Sequence, residues 1–223
     1  MNLRDIRIWS IVSAPFEENT YVAALPGRSD CLVIDPGLEP EKILDLLESE
    51  SLTPAAILIT HGHSDHIAGN EALKDRYPDC PIVVSEEDAA KLVNPALNLS
   101  AAFGAHLVSP PADKLIAEGD VYEAAGFKLA VREIPGHSSG HVVFIAEGVE
   151  PLLVFGGDVL FAGSIGRTDF PDGSFELLAD GIWKKLFTLD DETIVLPGHG
   201  PATTVGHEKR DNPFVGRAAG FKE

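Results

Sequence analysis

The chain has 223 residues, 44% apolar and 23% charged, which suits one large folded domain or two small ones. Lys and Arg number 17 against 35 Asp and Glu, a formal net charge of −18. That balance argues against a nucleic-acid or anionic-membrane partner, both of which need a basic face, and leaves a small molecule as the expected partner.

The opening residues lead into no continuous apolar run, so neither a signal peptide nor a membrane span is read, and a cytoplasmic setting is expected. Residues 6–12 and 20–25 alternate as strands, and Pro26-Gly27 marks a turn. A more continuously apolar strand, 31–34, ends at Asp35-Pro36-Gly37. Pro40 suits the first turn of a helix whose apolar face is Ile43, Leu44, Leu46 and Leu47. The strand 55–60 then runs into Thr60-His61-Gly62-His63-Ser64-Asp65-His66. A helix with Ile67, Ala68, Ala72, Leu73 and Tyr77 follows and stops near Pro78.

Residues 82–84 form a short strand and 86–93 a short helix. Residues 94–111 carry Pro95, Gly104, Pro110 and Pro111 with Phe103 and Leu107 between them. This irregular stretch reads either as a wall of a substrate pocket or as a surface excursion packed on its own apolar residues. Strands return at 127–134, 141–146 and 152–155, broken by Pro135-Gly136-His137 and closed by Gly156-Gly157-Asp158. Ser174 is the expected N-cap of a helix whose core stripe includes Phe175, Leu178, Ile182, Trp183 and Leu186. The last strand, 193–196, meets Pro197-Gly198-His199-Gly200, and a short helix spans 204–211. Cys31 and Cys80 sit in or beside apolar runs without a CxxC partner and are expected to be small buried residues.

The chemistry concentrates in His61, His63, Asp65 and His66. Period-two alternation at a strand end would point His61 and His63 to one side, and Asp65 and His66 would open the next helix beside them. Neutral imidazoles and carboxylates suit zinc, iron or manganese. His61, His137, Asp158 and His199 each lie just past an apolar strand with glycine close by, so one sheet edge could gather them. Together these are five histidines and two carboxylates. That is too many for one tetrahedral zinc and enough for two ions sharing a carboxylate.

These residues resemble the metallo-β-lactamase superfamily, and within it glyoxalase II (hydroxyacylglutathione hydrolase) in a short form without the C-terminal helical domain. The resemblance runs from Asp35-Pro36-Gly37 to Asn212-Pro213-Phe214. It is most specific in Thr60 to His66, Gly157-Asp158-Val159-Leu160-Phe161, Gly166-Arg167-Thr168-Asp169-Phe170-Pro171 and Pro197-Gly198-His199-Gly200-Pro201. It implies an α/β fold, a four-layered αββα sandwich, with residues 1–223 as a single domain. It implies two divalent ions, zinc first and iron or manganese otherwise. His61, His63 and His137 would hold one, and Asp65, His66 and His199 the other. Asp158 and a hydroxide would bridge them, such ions lowering the pKa of bound water toward about 7. Asp65 and Asp158 are then the catalytic carboxylates, and Asp35 is a brace for the loops.

His106, His141 and His207 match no ligand position and read as structural or surface residues. The implied reaction is cleavage of a thioester such as S-lactoylglutathione. Arg167 falls where glyoxalase II carries a Lys that contacts glutathione, so it is the candidate substrate residue; pairing with Asp169 is the competing role. Lys209 and Arg210 read as solvent-exposed. An iron-dependent persulfide dioxygenase shares the Gly-Arg-Thr-Asp-Phe stretch and would use one iron on His61, His137 and Asp158. A lactonase on the same scaffold, or a metal-binding module without activity, stays open.

Overall fold

The structure is a computed structural model and describes residues 1–222. Its first half gives β1 (Arg7–Ser13), β2 (Glu18–Ala24), β3 (Asp30–Ile34), α1 (Pro40–Ser49), β4 (Thr53–Leu58), α2 (Ser64–Ile67), α3 (Asn70–Arg76), β5 (Ile82–Ser85), α4 (Ala89–Leu92) and β6 (Lys114–Ile116). The six strands form one sheet in the order β1-β2-β3-β4-β5-β6, antiparallel from β1 to β3 and parallel from β3 to β6. The second half gives β7 (Val121–Ala124), β8 (Phe127–Glu133), β9 (Val142–Ala146), β10 (Leu153–Gly157), the hairpin β11 (Leu160–Phe161) and β12 (Ser164–Ile165), α5 (Phe175–Gly181), β13 (Ile194–Pro197), β14 (Thr203–Thr204) and α6 (Val205–Asp211). Its sheet runs β14-β13-β10-β9-β8-β7.

Alternation sorts each strand into two cores. In β2, Tyr21 and Ala23 face the second sheet, while Val22 and Ala24 face the helices outside. All seven residues of β2 are buried, because both of its faces are covered. In β10, Leu153 and Phe155 point into the inter-sheet core and Val154 points out. Ile43 and Leu47 of α1 and Leu73 of α3 cover the first sheet's outer face, with Val33 and Ile57. Leu178 of α5 and Ile182 and Leu186 of the π-helical turn after it cover the second, with Val143, Val154 and Val195. The layers are therefore helix, sheet, sheet, helix, the αββα sandwich expected from the sequence.

Several local readings change, and Phe175, expected in the core stripe of α5, is exposed. The helix expected from Ile67 to Tyr77 breaks at Ala68-Gly69, where the Gly69 N–H bonds the Pro36 carbonyl at 2.8 Å. Strands β6, β7, β11, β12 and β14 were not anticipated, since runs of two to four residues carry little periodicity. Lys209 is not solvent-exposed: it is buried, and its Nζ donates to Asp191 at 2.8 Å and to the Leu189 carbonyl at 3.1 Å. Arg210 does stay at the surface. Ser174 caps α5 as expected, accepting from the Leu177 N–H. Cys31 and Cys80 are buried and free. Among the described residues no helix is long and apolar enough to cross a membrane.

Candidate metal centre

Strand β4 ends at Leu58, earlier than residue 60, because the Thr60 N–H leaves the ladder to donate to Asp35 Oδ1 at 2.7 Å. His61 and His63 therefore lie on the loop after the strand. Loop bonding, not strand alternation, brings them together. His63 immediately precedes α2, and Asp65 and His66 sit in that helix's first turn as expected. His137 follows β8, Asp158 follows β10 directly and His199 follows β13. The two sheets are stitched here: Val142 N–H donates to the Thr60 carbonyl at 2.8 Å, and Asn19 N–H to the Gly198 carbonyl at 2.7 Å.

These strand ends deliver two donor triads. One ligand atom each from His61, His63 and His137 lies within 4.8 Å of the others, and the same holds for Asp65, His66 and His199. Asp158 stands between them. Its Oδ1 is 3.5 Å from His66 Nε2, and its Oδ2 is 3.4 Å from His137 Nε2 and 3.5 Å from His199 Nε2. All seven residues read as ligands from the sequence thus converge. Asp35 also lies within reach of His61 and His66. Its oxygens are already engaged, however: Oδ2 accepts from Thr60 Oγ1 at 2.6 Å and faces His66 Nδ1 at 3.2 Å.

The outward nitrogens fix the tautomers, assigned here from their partners. His137 Nδ1 donates to the Arg167 carbonyl at 2.9 Å, and His199 Nδ1 to the Phe16 carbonyl at 3.0 Å. His66 Nδ1 donates to Asp35, and His61 Nδ1 to Thr60 Oγ1 at 3.1 Å, since that hydroxyl has spent its own proton on Asp35. Each Nε2 is left as a lone pair aimed inward. His61 Nε2, His66 Nε2 and Asp158 Oδ1 are buried with no hydrogen-bond partner. His63 Nδ1 meets His137 Nε2 at 2.9 Å. Lone pairs converging on carboxylates in a buried site are mutually repulsive unless cations lie between them, so this donor set fits divalent ions.

The titration behaviour of the first triad agrees. Burial, reinforced by neighbouring imidazoles, holds His61 well below its usual value and brings His63 down to about 3. Burial likewise brings His137 to about 4 against the opposing Arg167 carbonyl. These three are neutral at neutral pH, as ligation requires. In the other triad, burial would lower His66 and raise Asp65. The attraction of His66 for Asp158 and Asp65 outweighs it, holding His66 above and Asp65 below their usual values, so His66 Nε2 would ligate only by giving up a proton to the incoming cation.

Glycine is required at two contacts. A Cβ on Gly198 would fall on Asp158 Oδ1, and one on Gly157 on the Thr60 hydroxyl. Gly157 is also left-handed, with φ 46°. His141, which matched no ligand position, is a buried support: its ring stacks on His61 at 4.7 Å and its Nε2 accepts from the Asp158 N–H at 2.9 Å. His207 is half exposed, 3.2 Å from Asp211, and His106 is exposed.

Several supporting residues carried no signal in the sequence. Asn19 Nδ2 donates to the Pro197 and Gly200 carbonyls at 3.0 and 2.8 Å, clamping the His199 loop, and the Tyr21 hydroxyl donates to the same Pro197 carbonyl at 2.8 Å. Glu18 is fully buried behind the second triad, and burial pushes its carboxyl well above the usual range. Asp88, Lys91 and Ser138 form a buried polar network under the Gly62 and Ser138 loops, and Lys91 extends it to the half-buried Asp172. Outer partners of metal ligands typically matter 10–100-fold in affinity. Asp35→Asn is therefore expected to weaken metal binding by roughly 10–100-fold, measured by competition with a chelating dye. Unchanged affinity would remove Asp35 as the brace.

Five of the seven candidate ligands, His63, Asp65, His137, Asp158 and His199, line a pocket of about 340 Å³. Asn98, Leu99 and Phe103 of the 94–111 stretch line it, so that stretch forms part of its wall. Arg167 lines it too, but its guanidinium is held by Asp169 through two bonds of 2.9 and 2.8 Å.

The family model of the metallo-beta-lactamase superfamily matches residues 14–199. The chain belongs to the metallo-beta-lactamase superfamily. The chain is 39% identical to a probable metallo-hydrolase of Streptococcus pyogenes, over 94% of this chain and 90% of the relative. It is 38% identical to a hydroxyacylglutathione hydrolase of Haemophilus influenzae, over 84% and 88%. The crystal structure of the B3 metallo-beta-lactamase BLEG-1 superimposes with a TM-score of 0.89 at 36% identity, covering 94% of this chain and 99% of that one. This superfamily membership, with the two His/Asp donor groups, identifies the chain as a probable metallo-hydrolase.

Proposed function

We propose that the protein hydrolyses a thioester, such as S-lactoylglutathione, at a pair of divalent metal ions. The observation that carries this reading is the set of inward Nε2 lone pairs around Asp158, at the floor of an open pocket. His61, His63 and His137 would hold one ion, Asp65, His66 and His199 the other, and Asp158 would serve both. When bound, such ions supply Lewis acidity toward an acyl carbonyl and a nucleophile drawn from water at neutral pH. Zinc suits the nitrogen-rich set, and iron or manganese the carboxylates.

The chain's own residues supply placement. Asp65 lines the pocket and is partly open to it, so its free edge can accept a hydrogen bond from water and orient it during acyl cleavage. Phe161 and Phe170, also in the lining, exclude bulk water from the reacting carbonyl. No thiol competes as nucleophile: burial pushes Cys31 up to about 12 and Cys80 to about 11. The similarity to the hydroxyacylglutathione hydrolase supports the thioester as substrate.

The test is hydrolysis of S-lactoylglutathione by metal-loaded protein, before and after chelation, with a β-lactam assayed in parallel because of the similarity to a B3 enzyme. Loss of thioester turnover on chelation and recovery with added metal are expected; chelator-insensitive turnover contradicts the reading. Removing metal is also expected to lower Tm. Ligand at a hundred times its Kd stabilises by about 2.7 kcal/mol. For a chain of this size that is roughly 5–10 °C, readable by calorimetry.

A further inference from the structure

We infer that the pocket selects a thioester bearing an aromatic or branched apolar group and at most one negative charge. The inference rests on the thioesterase reading above. Phe16, Leu99, Phe103, Phe161 and Phe170 line the cavity beside the donor atoms, and they come from four segments: the turn before β2, the 94–111 stretch, β11 and the loop after β12. Phe16 and Phe103 are 42% and 63% exposed, yet their rings lie 5.7 Å apart at the mouth. Two exposed rings side by side form an apolar lip that a substrate group can cover.

The lip is built in place. The Phe16 carbonyl accepts from His199 Nδ1, tying one side to a candidate ligand. On the other side, Asn98 Nδ2 donates to the Lys91 and Leu107 carbonyls at 3.1 and 3.0 Å. Leu99, next to it, is held in a left-handed conformation at φ 68°, which a leucine adopts only when its surroundings impose it. Deeper in, Phe170 meets His63 and His137 edge-on, with ring centroids at 5.1 and 5.5 Å.

Charge points the same way. Histidines aside, Arg167 is the one cation among the described lining residues. Its guanidinium stacks on Phe170 at 4.7 Å and is doubly bonded to Asp169, so its charge is already compensated. Beyond the ions at its floor, which the acyl carbonyl would engage, a carrier thiol with two carboxylates finds no free Lys or Arg among the described lining residues, on a chain of net charge −18. An uncharged thiol or acyl group with an apolar body matches the walls.

The experiment uses the metal-loaded protein and four thioesters: lactoyl and phenylacetyl esters of glutathione and of N-acetylcysteamine. S-phenylacetyl-N-acetylcysteamine is expected to exceed S-lactoylglutathione in kcat/KM by at least about ten-fold, the scale of discrimination that apolar pockets reach. Phe103→Ala and Phe16→Ala, each at an exposed position, are expected to reduce the phenylacetyl-to-lactoyl ratio on a common thiol by about the same factor. Equal efficiency for all four, preference for either glutathione ester over its cysteamine counterpart, or an unchanged ratio in both variants overturns the inference alone. Cleavage of none of them removes the thioesterase reading, and this inference with it.

Discussion

Asp158→Ala is expected to strip metal from the protein and to lower thioester hydrolysis by two to three orders of magnitude. The carboxylate is buried and stands within 3.5 Å of Nε2 of His66, His137 and His199, which belong to both donor triads. No neighbour can take its place. A Cβ on Gly198 would overlap its Oδ1, and a Cβ on Gly166 would overlap its backbone carbonyl, so the loops close tightly around it. Removing one member of a buried charged cluster costs about 3–5 kcal/mol. At about 1.4 kcal/mol per decade, that is a loss of roughly 10²–10³ or more in affinity or rate. Elemental analysis and a progress curve on the same preparation decide it. Two ions per chain with normal turnover in the variant would remove Asp158 from the centre.

A second large effect is expected from a residue that touches no candidate metal ligand. Asp88 is completely buried. It accepts from the Gly62 and Gly140 N–H groups, both at 2.8 Å, and from the Ser138 hydroxyl at 2.5 Å, and it pairs with Lys91 at 2.9 Å. Lys91 reaches on to Asp172 at 2.6 Å, whose carboxyl it helps to bring down to about 2. The network anchors the loop between His61 and His63 and the one that follows His137. Asp88→Ala leaves two buried N–H groups without an acceptor and a buried ammonium with one fewer counter-charge. The expected cost is about 3–5 kcal/mol. For a chain of this size that lowers Tm by roughly 6–20 °C. Metal affinity should fall alongside it, by about 10–100-fold, because the network fixes the ligand loops. A Tm within about two degrees of the parent would show the network to be dispensable.

What could be read in advance follows from how local each signal is. His61, His63, Asp65 and His66 fall within six residues, so their grouping needs no fold to be noticed. His137, Asp158 and His199 were legible because apolar runs precede them and glycines flank them, the pattern of strand ends at a sheet edge. The four-layered sandwich was implied by the resemblance to the superfamily carried by these motifs, while the shortest strands, too brief to show a period, escaped. The support under the site was not legible. Asp88 meets Gly62 across 26 positions, and Lys91 meets Asp172 across 81. In sequence each looks like a surface charge. Glu18 and Asn19 are polar residues lying ahead of the strand read at 20–25, and the packing of β2, which begins at Glu18, against the Pro197-Gly200 loop buries them. Lys209 failed for the same reason, since its partner Asp191 lies on another element. Residues 94–111 allowed two readings by composition; the fold places Asn98, Leu99 and Phe103 on the pocket.

The most direct measurement is calorimetric titration of the metal-free protein with zinc, repeated on His199→Ala. Two ions per chain are predicted for the parent and one for the variant, with His61, His63 and His137 retaining theirs. A single ion in the parent, bound as tightly without His199 as with it, would contradict the paired site and favour a mononuclear centre on His61, His137 and Asp158.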